Sequence, residues 1–320
     1  MNAHSMQVFV NGKDALPREL TGYVSALEWG DLSGELAARA VITLDDRAGD
    51  MDIAELVRLN ADISVLVDGE CAFEGLIWDC TLTDGRQMRL VCYDRLIFLT
   101  GSRDSAYFPA GMSTARVLDS ICRRWDMPLI CTYPGCTHGR LSYRALTVAE
   151  QITRTLDAAR AVCGRDYMLR MEDGALRVGE RGAGGTSARI SADMLIGSTH
   201  RRDMNGMVTR VKVIAADGDS PVRTYATLDG DTSVGILQEV VEGAGASLKD
   251  AREQARLLLA ERGAPTETIS MQCIDIPKLR RGDAIEVDAG GISGTYDVLG
   301  VSHDRALTMK LELSQHIELQ

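Results

Sequence analysis

The first hundred residues alternate short apolar segments with two-residue turn signals, and this alternation constrains the fold more than any other feature of the chain. The turn pairs are Asn11-Gly12, Asp45-Asp46, Asp68-Gly69 and Asp84-Gly85. Asn-Gly and Asp-Gly pairs favour the tight turns of β-hairpins. Strands are therefore expected at residues 7–10, 38–44, 63–67, 71–82 and 88–99. Many short strands at close spacing are typical of a β-barrel or a β-sandwich.

The middle of the chain changes to the periodicity of amphipathic helices. Helices are expected at residues 113–125 and 147–163. Ser113 is a suitable N-cap for the first helix, and Thr147 with Glu150 forms a capping box for the second, which Gly164 ends. A hairpin is expected at residues 167–178. These elements together predict a small α/β insert.

The last third of the chain returns to strand-like patterns. Residues 179–187 are rich in glycine and resemble a linker, and residues 188–190 look extended. A long helix is expected at 247–262, with its alanines and leucines facing inward. Near the end, Met309, Leu311 and Leu313 alternate with polar residues, as in a half-buried strand. The predicted division is 1–102, 103–198 and 199–320: a β domain, the α/β insert and a second β domain that contains the long helix.

The charge balance limits the partners that the chain can bind. With 35 basic and 46 acidic residues, its formal net charge is -11. Sequence-independent binding of nucleic acid requires basic residues that displace counterions from phosphates. Binding to an anionic membrane likewise requires positive charge. Neither is expected here. The start of the chain lacks the pattern of a signal peptide, and eight scattered cysteines fit reduced thiols in a cytoplasm.

The sequence contains no catalytic motif that we recognise. HExxH, GxSxG and P-loop patterns are missing. The segment from Asp229 to Ser233 resembles the start of a calcium loop, but Val234 and Val240 stand where such a loop needs Gly and Glu. A surface turn explains this segment better, and the same holds for Asp217-Gly-Asp219. No catalytic or cofactor-binding residue is predicted, and the chain is expected not to be an enzyme.

One group of residues could in principle bind a metal ion. Cys122, Cys131, Cys136 and His138 lie within 17 residues of one another. Three thiols and an imidazole are sufficient ligands for a tetrahedral zinc ion. However, the spacing differs from the common zinc patterns, and Cys122 falls on the apolar face of a predicted helix. The favoured interpretation is therefore small core residues and no metal, and any zinc bound here would be structural.

Several segments resemble XkdQ/YqbQ-type tail hub proteins. The most specific is residues 91–99 (VCYDRLIFL), followed by Ser102, Tyr107 and Phe108. Other matching segments occur in the expected order along nearly the whole chain, at 28–30 (EWG), 38–42 (ARAVI), 73–77 (FEGLI), 146–150 (LTVAE), 167–170 (YMLR), 205–211 (NGMVTRV), 235–239 (GILQE) and 282–283 (GD).

This resemblance implies a structural protein of a phage tail or of a related particle such as a bacteriocin. Its fold would be α+β and β-rich, with two tail-tube-like antiparallel β-barrels around the insert. Such hubs are homotrimers that form a pseudo-six-fold ring between the tail tube and a central spike. The implied partners are further copies of the chain, the tail tube protein, the spike protein, baseplate wedge proteins, and DNA or a tape-measure protein in the lumen. The implied location is the tail baseplate, after assembly in the bacterial cytoplasm.

Individual roles are expected for an Asp-Arg pair and for the three tryptophans. Asp94 and Arg95 form either a buried ion pair at a barrel corner or two solvated charges, and in both cases a structural role is favoured. Trp29, Trp78 and Trp125 are expected to anchor a core or an interface. Two alternatives to the hub remain: a tail-associated wall-degrading or zinc-dependent enzyme, and a hexameric tail tube protein, which should need only one barrel per chain.

Overall fold

The computed structural model describes residues 5–11, 16–45, 57–83, 87–215, 223–242 and 248–315. The chain divides into two compact units, the first formed by Met1–Thr199 with Ile269–Gln320 and the second by His200–Thr268. Strands predominate in both units, so the expected α+β, β-rich class is confirmed. No helix in the described ranges is long and apolar enough to span a membrane.

The first part of the chain is built from strands, as the turn signals predict. These are β1 (Met6–Asn11), β2 (Pro17–Glu19), β3 (Val24–Asp31), β4 (Arg39–Asp45), β5 (Asp62–Val67), β6 (Glu70–Thr83) and β7 (Gln87–Tyr93), with a short 3-10 helix at Thr21–Tyr23. The turn at Asp68-Gly69 is present, with positive φ at both residues. The turns predicted at Asn11-Gly12, Asp45-Asp46 and Asp84-Gly85 include residues outside the described ranges.

The next part of the chain contains helices and short strands. They are α1 (Leu96–Gly101), β8 (Arg103–Phe108), α2 (Thr114–Arg124), β9 (Leu129–Cys131), β10 (Leu141–Thr147), α3 (Val148–Cys163), β11 (Tyr167–Glu172) and β12 (Ala175–Glu180). The predicted caps are confirmed: Ser113 caps α2, Thr147 and Glu150 form both arms of a capping box on α3, and Gly164 ends α3 with φ of 70°.

Two strands follow, β13 (Thr186–Ser191) and β14 (Leu195–Asp203). The second unit consists of β15 (Arg210–Ala215), β16 (Arg223–Asp229), β17 (Gln238–Glu242) and α4 (Leu248–Arg262). Its sheet has the order β16-β15-β17. Val211 and Val213 pack with Ala251 and Ala255 of α4 in its core. The expectation that the leucines of this helix also face inward is only partly met, because Leu257 is 40% exposed.

The last strands belong mainly to the first unit: β18 (Thr266–Ile274), β19 (Ala284–Ala289), β20 (Ile292–Asp304) and β21 (Thr308–Gln315). Met309, Leu311 and Leu313 are at most 1% exposed, which confirms the predicted alternation in β21. Strand β20 pairs with β21 and β19 and, through its last residues, with β3, where His303 lies opposite Trp29 and Ser302 opposite Gly30.

This pairing makes one sheet of 13 strands from the two ends of the chain. Its order is β14-β18-β21-β20-β3-β4-β7-β6-β5-β1-β2, with β19 attached to β20 and β13 to β19. The strands are mostly antiparallel, as expected. The described strands do not close into the two barrels that were expected, because β3 and β20 pair with each other and leave an open path with β14 and β2 at its ends.

Three hydrophobic clusters fill the first unit. The first lies among β1–β7, the second among α1–α3 and the sheet of β9, β11 and β12, and the third among β13 and β18–β21. One local prediction was wrong. Residues 88–99 do not form one strand, since β7 ends at Tyr93 and α1 begins at Leu96. The linker-like stretch at 179–187 contains a turn at 181–184, between β12, which ends at Glu180, and β13, which begins at Thr186.

Candidate functional site

A polar junction surrounds Asp31 and Arg280, at the place where the first and third hydrophobic clusters meet. Asp31 ends β3, and Arg280 lies in the loop between β18 and β19. The carboxylate of Asp31 accepts hydrogen bonds from Arg280 Nε at 2.5 Å and Nη2 at 3.1 Å, and its side chain is 1% exposed. Burial alone would raise the pKa of Asp31, but the guanidinium of Arg280, supported by Arg281, holds that pKa below its ordinary value. The junction is therefore a charged, buried ion pair.

The neighbouring Arg281 connects three segments through backbone carbonyls. Its Nη1 donates to the carbonyls of Leu32 and Glu35, in the loop after β3. Its Nη2 donates to the carbonyl of Leu36 at 2.7 Å and to that of Leu169 in β11 at 3.3 Å. A planar guanidinium with five N–H donors is suited to such a position. Arg281 thus connects the β18–β19 loop to the loop between β3 and β4 and to strand β11.

Arg170 of β11 approaches the same loop from the other side. Its Nη1 donates to Asp283 Oδ1 at 2.8 Å and to the carbonyl of Arg281 at 3.1 Å. Its side chain is 13% exposed, and its buried Nε–H has no acceptor among the described residues. The three arginines therefore join the three hydrophobic clusters of the first unit at one place.

Asp94 lies in the segment most similar to tail hub proteins. It forms neither a buried ion pair with Arg95 nor a solvated charge, the two alternatives that the sequence suggested. It does not pair with Arg95, whose exposed side chain lies 3.5 Å from Asp62. Asp94 is 3% exposed and accepts hydrogen bonds from the backbone N–H of Ala38 at 3.0 Å and of Leu96 at 2.9 Å. Burial raises its pKa to about 7, although these two hydrogen bonds oppose the rise. Asp94 holds the end of β7 against residue 38 and starts α1, so its role is structural, as favoured.

Trp29 and His303 form a buried stack across the pairing of β3 with β20. Their ring centroids are 5.3 Å apart. His303 Nδ1 lies 2.6 Å from Asp275 Oδ1, and its Nε2 lies 3.1 Å from the carbonyl oxygen of Leu279. This His–Asp pair differs from a catalytic one, because Nε2, which would take the proton of a nucleophile, faces a backbone carbonyl. Trp29 is therefore a core anchor, as expected.

A cleft of about 720 Å³ opens beside this junction. Its walls come from β5 and β6, from the turn between β11 and β12, and from the loop that precedes Arg280. The acidic residues along it are Asp62, Asp68, Glu70, Glu74, Asp94, Glu172 and Asp173, and the basic ones are Arg95, Arg170, Lys278 and Arg280. Lys278 pairs with Glu70 at 2.6 Å. The cleft thus has seven acidic and four basic residues, and its volume is within the range of small-molecule pockets.

An exposed aromatic patch, formed by Trp78, Tyr93 and Phe98, lies on the first unit. The ring of Trp78 contacts that of Tyr93 with centroids 6.5 Å apart and that of Phe98 at 6.0 Å, both edge to face. Trp78 is 47% exposed and Phe98 is 41% exposed. The chain has only four phenylalanines and three tryptophans, so two neighbouring exposed rings mark a surface suited to contact with another chain. Trp125, by contrast, packs partly buried against the second hydrophobic cluster.

The four residues considered for zinc do not form a group that could hold a metal ion. Cys136 Sγ lies 3.9 Å from His138 Nδ1. The His138 ring is largely buried, and its Nε2 lies 2.9 Å from Thr114 Oγ1. Cys122 is buried in α2, where burial raises its pKa to about 12 and keeps the thiol protonated.

The two segments compared with calcium loops are accounted for in different ways. Asp231 Oδ1 accepts a hydrogen bond from the backbone N–H of Ser233 at 2.9 Å, which is the geometry of a surface turn. Asp217-Gly-Asp219 lies outside the described residues.

Among the junction residues, only Asp94 and Trp29 were considered individually from the sequence, and Arg170 and Asp283 were named only within segments of the family resemblance. Asp31 and Arg280 are 249 residues apart, so no local pattern connects them. The one available signal was the adjacent pair Arg280-Arg281 directly before Gly282-Asp283, in a part of the chain that is otherwise strand-like. Two neighbouring arginines beside a turn usually lie in solvent, and here the surrounding carbonyls and carboxylates bury them.

Comparison with known families decides the relationship of this chain. The family model of YQBQ-like proteins matches residues 51–314. The chain belongs to the YQBQ-like family. The resemblance to XkdQ/YqbQ-type proteins is thereby confirmed. Sequence comparison with curated proteins gave no match.

Solved structures of tail proteins share the fold of this YQBQ-like chain. A tail protein from Neisseria meningitidis aligns with a TM-score of 0.72 at 15% identity, over 97% of this chain and 96% of that one. The 43 kDa tail protein of prophage MuSo2 from Shewanella oneidensis aligns with a TM-score of 0.71 at 11% identity, over 97% and 98%. A type VI secretion component from E. coli, described as similar to the T4 tail proteins gp27 and gp5, aligns with 0.56 at 11% identity, over 92% and 74%. At these identities the similarity demonstrates a shared fold.

Proposed function

We propose that this YQBQ-like protein is a structural hub in the baseplate of a phage tail or phage-tail-like particle. In this proposal, three copies form a ring with pseudo-six-fold symmetry that joins the tail tube to a central spike. The observation that carries the proposal is the edge-to-edge pairing of β3 with β20. It places two sets of antiparallel strands side by side in one chain, so three chains supply six sets of strands. Such a ring matches a hexameric tube on one side and a three-fold spike on the other.

The structural relatives support the same role. Two of them are tail proteins that align with this chain over nearly their full length. In the proposal the partners are other copies of the chain, the tail tube protein, the spike protein, baseplate wedge proteins, and DNA or a tape-measure protein in the lumen. The tube-like parts are assigned to residues 1–102 and 199–320, and the insert to residues 103–198. No catalytic step is assigned to the protein, which would act in the tail after assembly in the host cytoplasm.

The net charge of the chain favours passage of DNA over binding of DNA. Each copy carries a formal charge of -11, and three copies carry three times that charge. A lumen of the same sign as DNA repels the phosphates and lets the strand slide. A lumen lined mainly by Lys and Arg in a structure of the assembled ring would contradict this part of the proposal.

The mass of the purified protein in solution tests the proposal. One chain has a mass of 34.7 kDa, so light scattering of a trimer should give three times this value, about 104 kDa. Negative-stain images of the same fraction should show rings with three-fold symmetry. Six-fold rings would instead indicate a tube protein. If the chain alone is monomeric, the measurement is repeated with the purified spike, and the absence of a three-fold complex there would reject the hub.

A further inference from the structure

Strands β8 and β10 form a two-stranded sheet whose two faces differ in chemistry. One face contributes Ala106, Phe108 and Tyr143 to the second hydrophobic cluster, where all three are buried. Because successive residues of a strand point to opposite sides, the residues between them lie on the other face. There Tyr107 lies opposite Ser142 and is 60% exposed. This outer face is therefore open to solvent and carries an aromatic ring.

Three exposed arginines belong to the same two strands or adjoin them. Arg103 begins β8, Arg144 lies in β10, and Arg140 directly precedes β10. These three arginines and Tyr107 form the basic face. The side chains of Arg140 and Arg144 make no ion pair within the described part of the chain. Two guanidinium groups of the basic face are therefore available to a ligand.

A β-bulge fixes the position of two of these arginines. The register shifts between Tyr143 and Leu146, so that Arg144 and Ala145 together lie opposite one residue of β8. Ala145 has φ of 51°, which is unfavourable for a residue with a Cβ atom. Arg103 Nη1 donates to the carbonyl oxygen of Ala145 at 3.0 Å, which holds its guanidinium at the residue that follows Arg144. Bulges are over-represented where a side chain must be re-aimed towards a functional site.

The basic face has a charge opposite to that of the whole chain. Residues 103–163 contain eight arginines and five acidic residues, whereas the whole chain has a formal net charge of -11. Two carboxylates near the face are already engaged: Asp104 pairs with Arg124 at 3.5 Å, and Glu150 accepts the backbone N–H of Thr147 in the capping box. At physiological ionic strength, exposed charges are screened beyond about 8 Å. A ligand on this face is therefore attracted by its arginines more than it is repelled by distant acidic residues.

We propose that the basic face binds an acidic segment of another protein. Carboxylates of the segment pair with the guanidinium groups of Arg140 and Arg144, and an apolar part of the segment packs on the ring of Tyr107. Guanidinium groups bind carboxylates in a planar, bidentate arrangement, and Tyr and Arg are enriched in protein interfaces. The proposal goes beyond the role of a hub and does not depend on the symmetry of the ring.

The size of the basic face favours a protein segment over a DNA duplex. Strand β8 has six residues and is about 20 Å long. A short acidic segment fits within this length. The phosphates of a duplex continue along both strands, and they would meet the acidic surface of the rest of the chain.

Binding of labelled probes to the full chain tests this proposal. The probes are blocked hexaglutamate and hexaglutamine peptides and a short DNA duplex, each carrying the same uncharged dye, and binding is followed by fluorescence anisotropy. Hexaglutamate should bind in a saturable manner, and hexaglutamine should not bind. Added salt should weaken the binding of hexaglutamate, because it screens the ion pairs. Tighter binding of the duplex than of hexaglutamate would overturn the proposal in favour of a nucleic-acid surface.

Two double variants assign the binding to the basic face. R140Q/R144Q should weaken the binding of hexaglutamate by about tenfold, as expected for the loss of two partly screened ion pairs. The matched control is R58Q/R89Q, which removes the same charge from two exposed arginines outside the face. It should change the affinity by less than about twofold, because distant charges are screened. Equal affinities of the two variants for hexaglutamate, or equal binding of hexaglutamine and hexaglutamate to the wild type, would overturn the proposal.

Discussion

Asp31 and Arg280 form a buried, bidentate ion pair between the end of β3 and the loop that follows β18, with N···O distances of 2.5 and 3.1 Å. The pair crosses from the first hydrophobic cluster to the third, over 249 residues of sequence. Arg281 and Arg170 extend it to the α/β segment. Substitution of one side chain in the junction is consequently expected to affect the packing of all three hydrophobic clusters of the first unit.

Removal of Asp31 should destabilise the first unit strongly. Breaking a buried ion pair by deleting one partner costs about 3–5 kcal/mol, because the other charge stays buried without compensation. We expect Asp31→Ala to lower the urea midpoint accordingly, as measured by tryptophan fluorescence. All three tryptophans lie in the first unit, so the signal reports on that unit. The control is Asp119→Ala, which removes an exposed pair with Arg123 and should cost at most about 1 kcal/mol. Equal shifts in the two variants would contradict the importance of the junction.

The pairing of β3 with β20 depends on a glycine. A Cβ atom on Gly30 would overlap the carbonyl oxygen of Val301 and lie 3.0 Å from the Cα of Ser302. We expect Gly30→Ala to separate the two strands and to speed hydrogen exchange at residues 28–31 and 301–304, as measured by mass spectrometry. Gly22→Ala is the control, since nothing lies within 4 Å of a Cβ at that position. If exchange at β20 stays slow in Gly30→Ala, the close approach of the two strands is not essential for their pairing.

Asp94 should make the stability of the first unit depend on pH. Its pKa is about 7 in the folded chain, whereas an unfolded Asp has a pKa of about 3.9. The folded state therefore binds the proton more tightly, and this contribution is complete below about pH 4 and is lost as the pH rises through 7. Asp31 has the opposite pH dependence. Because its pKa is lowered in the folded chain, the stability that its ionised carboxylate contributes is lost as the pH falls below the ordinary pKa of an Asp.

The variant Asp94→Asn isolates this effect. Between about pH 4.5 and pH 8, the unfolding free energy of the wild type should fall relative to that of the variant by about 2–4 kcal/mol. Asn also loses one of the two hydrogen-bond acceptors, so the change with pH, rather than the stability at one pH, is the quantity to compare. Asp62→Asn, which removes the charge of an exposed carboxylate, is the control for the loss of one negative charge. A curve for Asp94→Asn that runs parallel to that of the wild type would show that Asp94 stays ionised throughout the range.

The sequence predicted those helices and strands that are determined by residues close to them in the chain. The capped helices α2 and α3 follow from Ser113, the Thr147–Glu150 box and Gly164, all of which act within one turn of the helix. The strand β21 follows from its alternation. Helix α1 was missed because residues 88–99 are apolar without a clear period, and its start depends on Asp94, which is held by the distant residue 38.

The polar junction and the cleft could not be derived from the sequence, because their residues meet only after the sheet is assembled. Arg281 is satisfied by the carbonyls of Leu32, Leu36 and Leu169, and backbone acceptors leave no mark in the sequence. The pairing of β3 with β20 is likewise set by contacts between the two ends of the chain. The turn signals and periodicity of the sequence predicted the β-rich architecture, and the family resemblance agreed with it, whereas the open order of the strands came from the structure.

The aromatic patch gives the last prediction, on the assembly of the ring. Trp78 and Phe98 expose 47% and 41% of their surface, and in the proposed trimer they are covered by a neighbouring copy. Exposed aromatic rings of this kind are the residues that most often dominate binding, at about 2 kcal/mol or more each. The double variant W78S/F98S should therefore shift the trimer towards monomer at a given concentration, as measured by light scattering over a dilution series. The control is Val162→Ser, at an isolated apolar side chain that is 71% exposed. If W78S/F98S forms trimers as well as the wild type does, the patch contacts a different component of the tail, and binding of the variant to the purified tail tube and spike proteins would identify which.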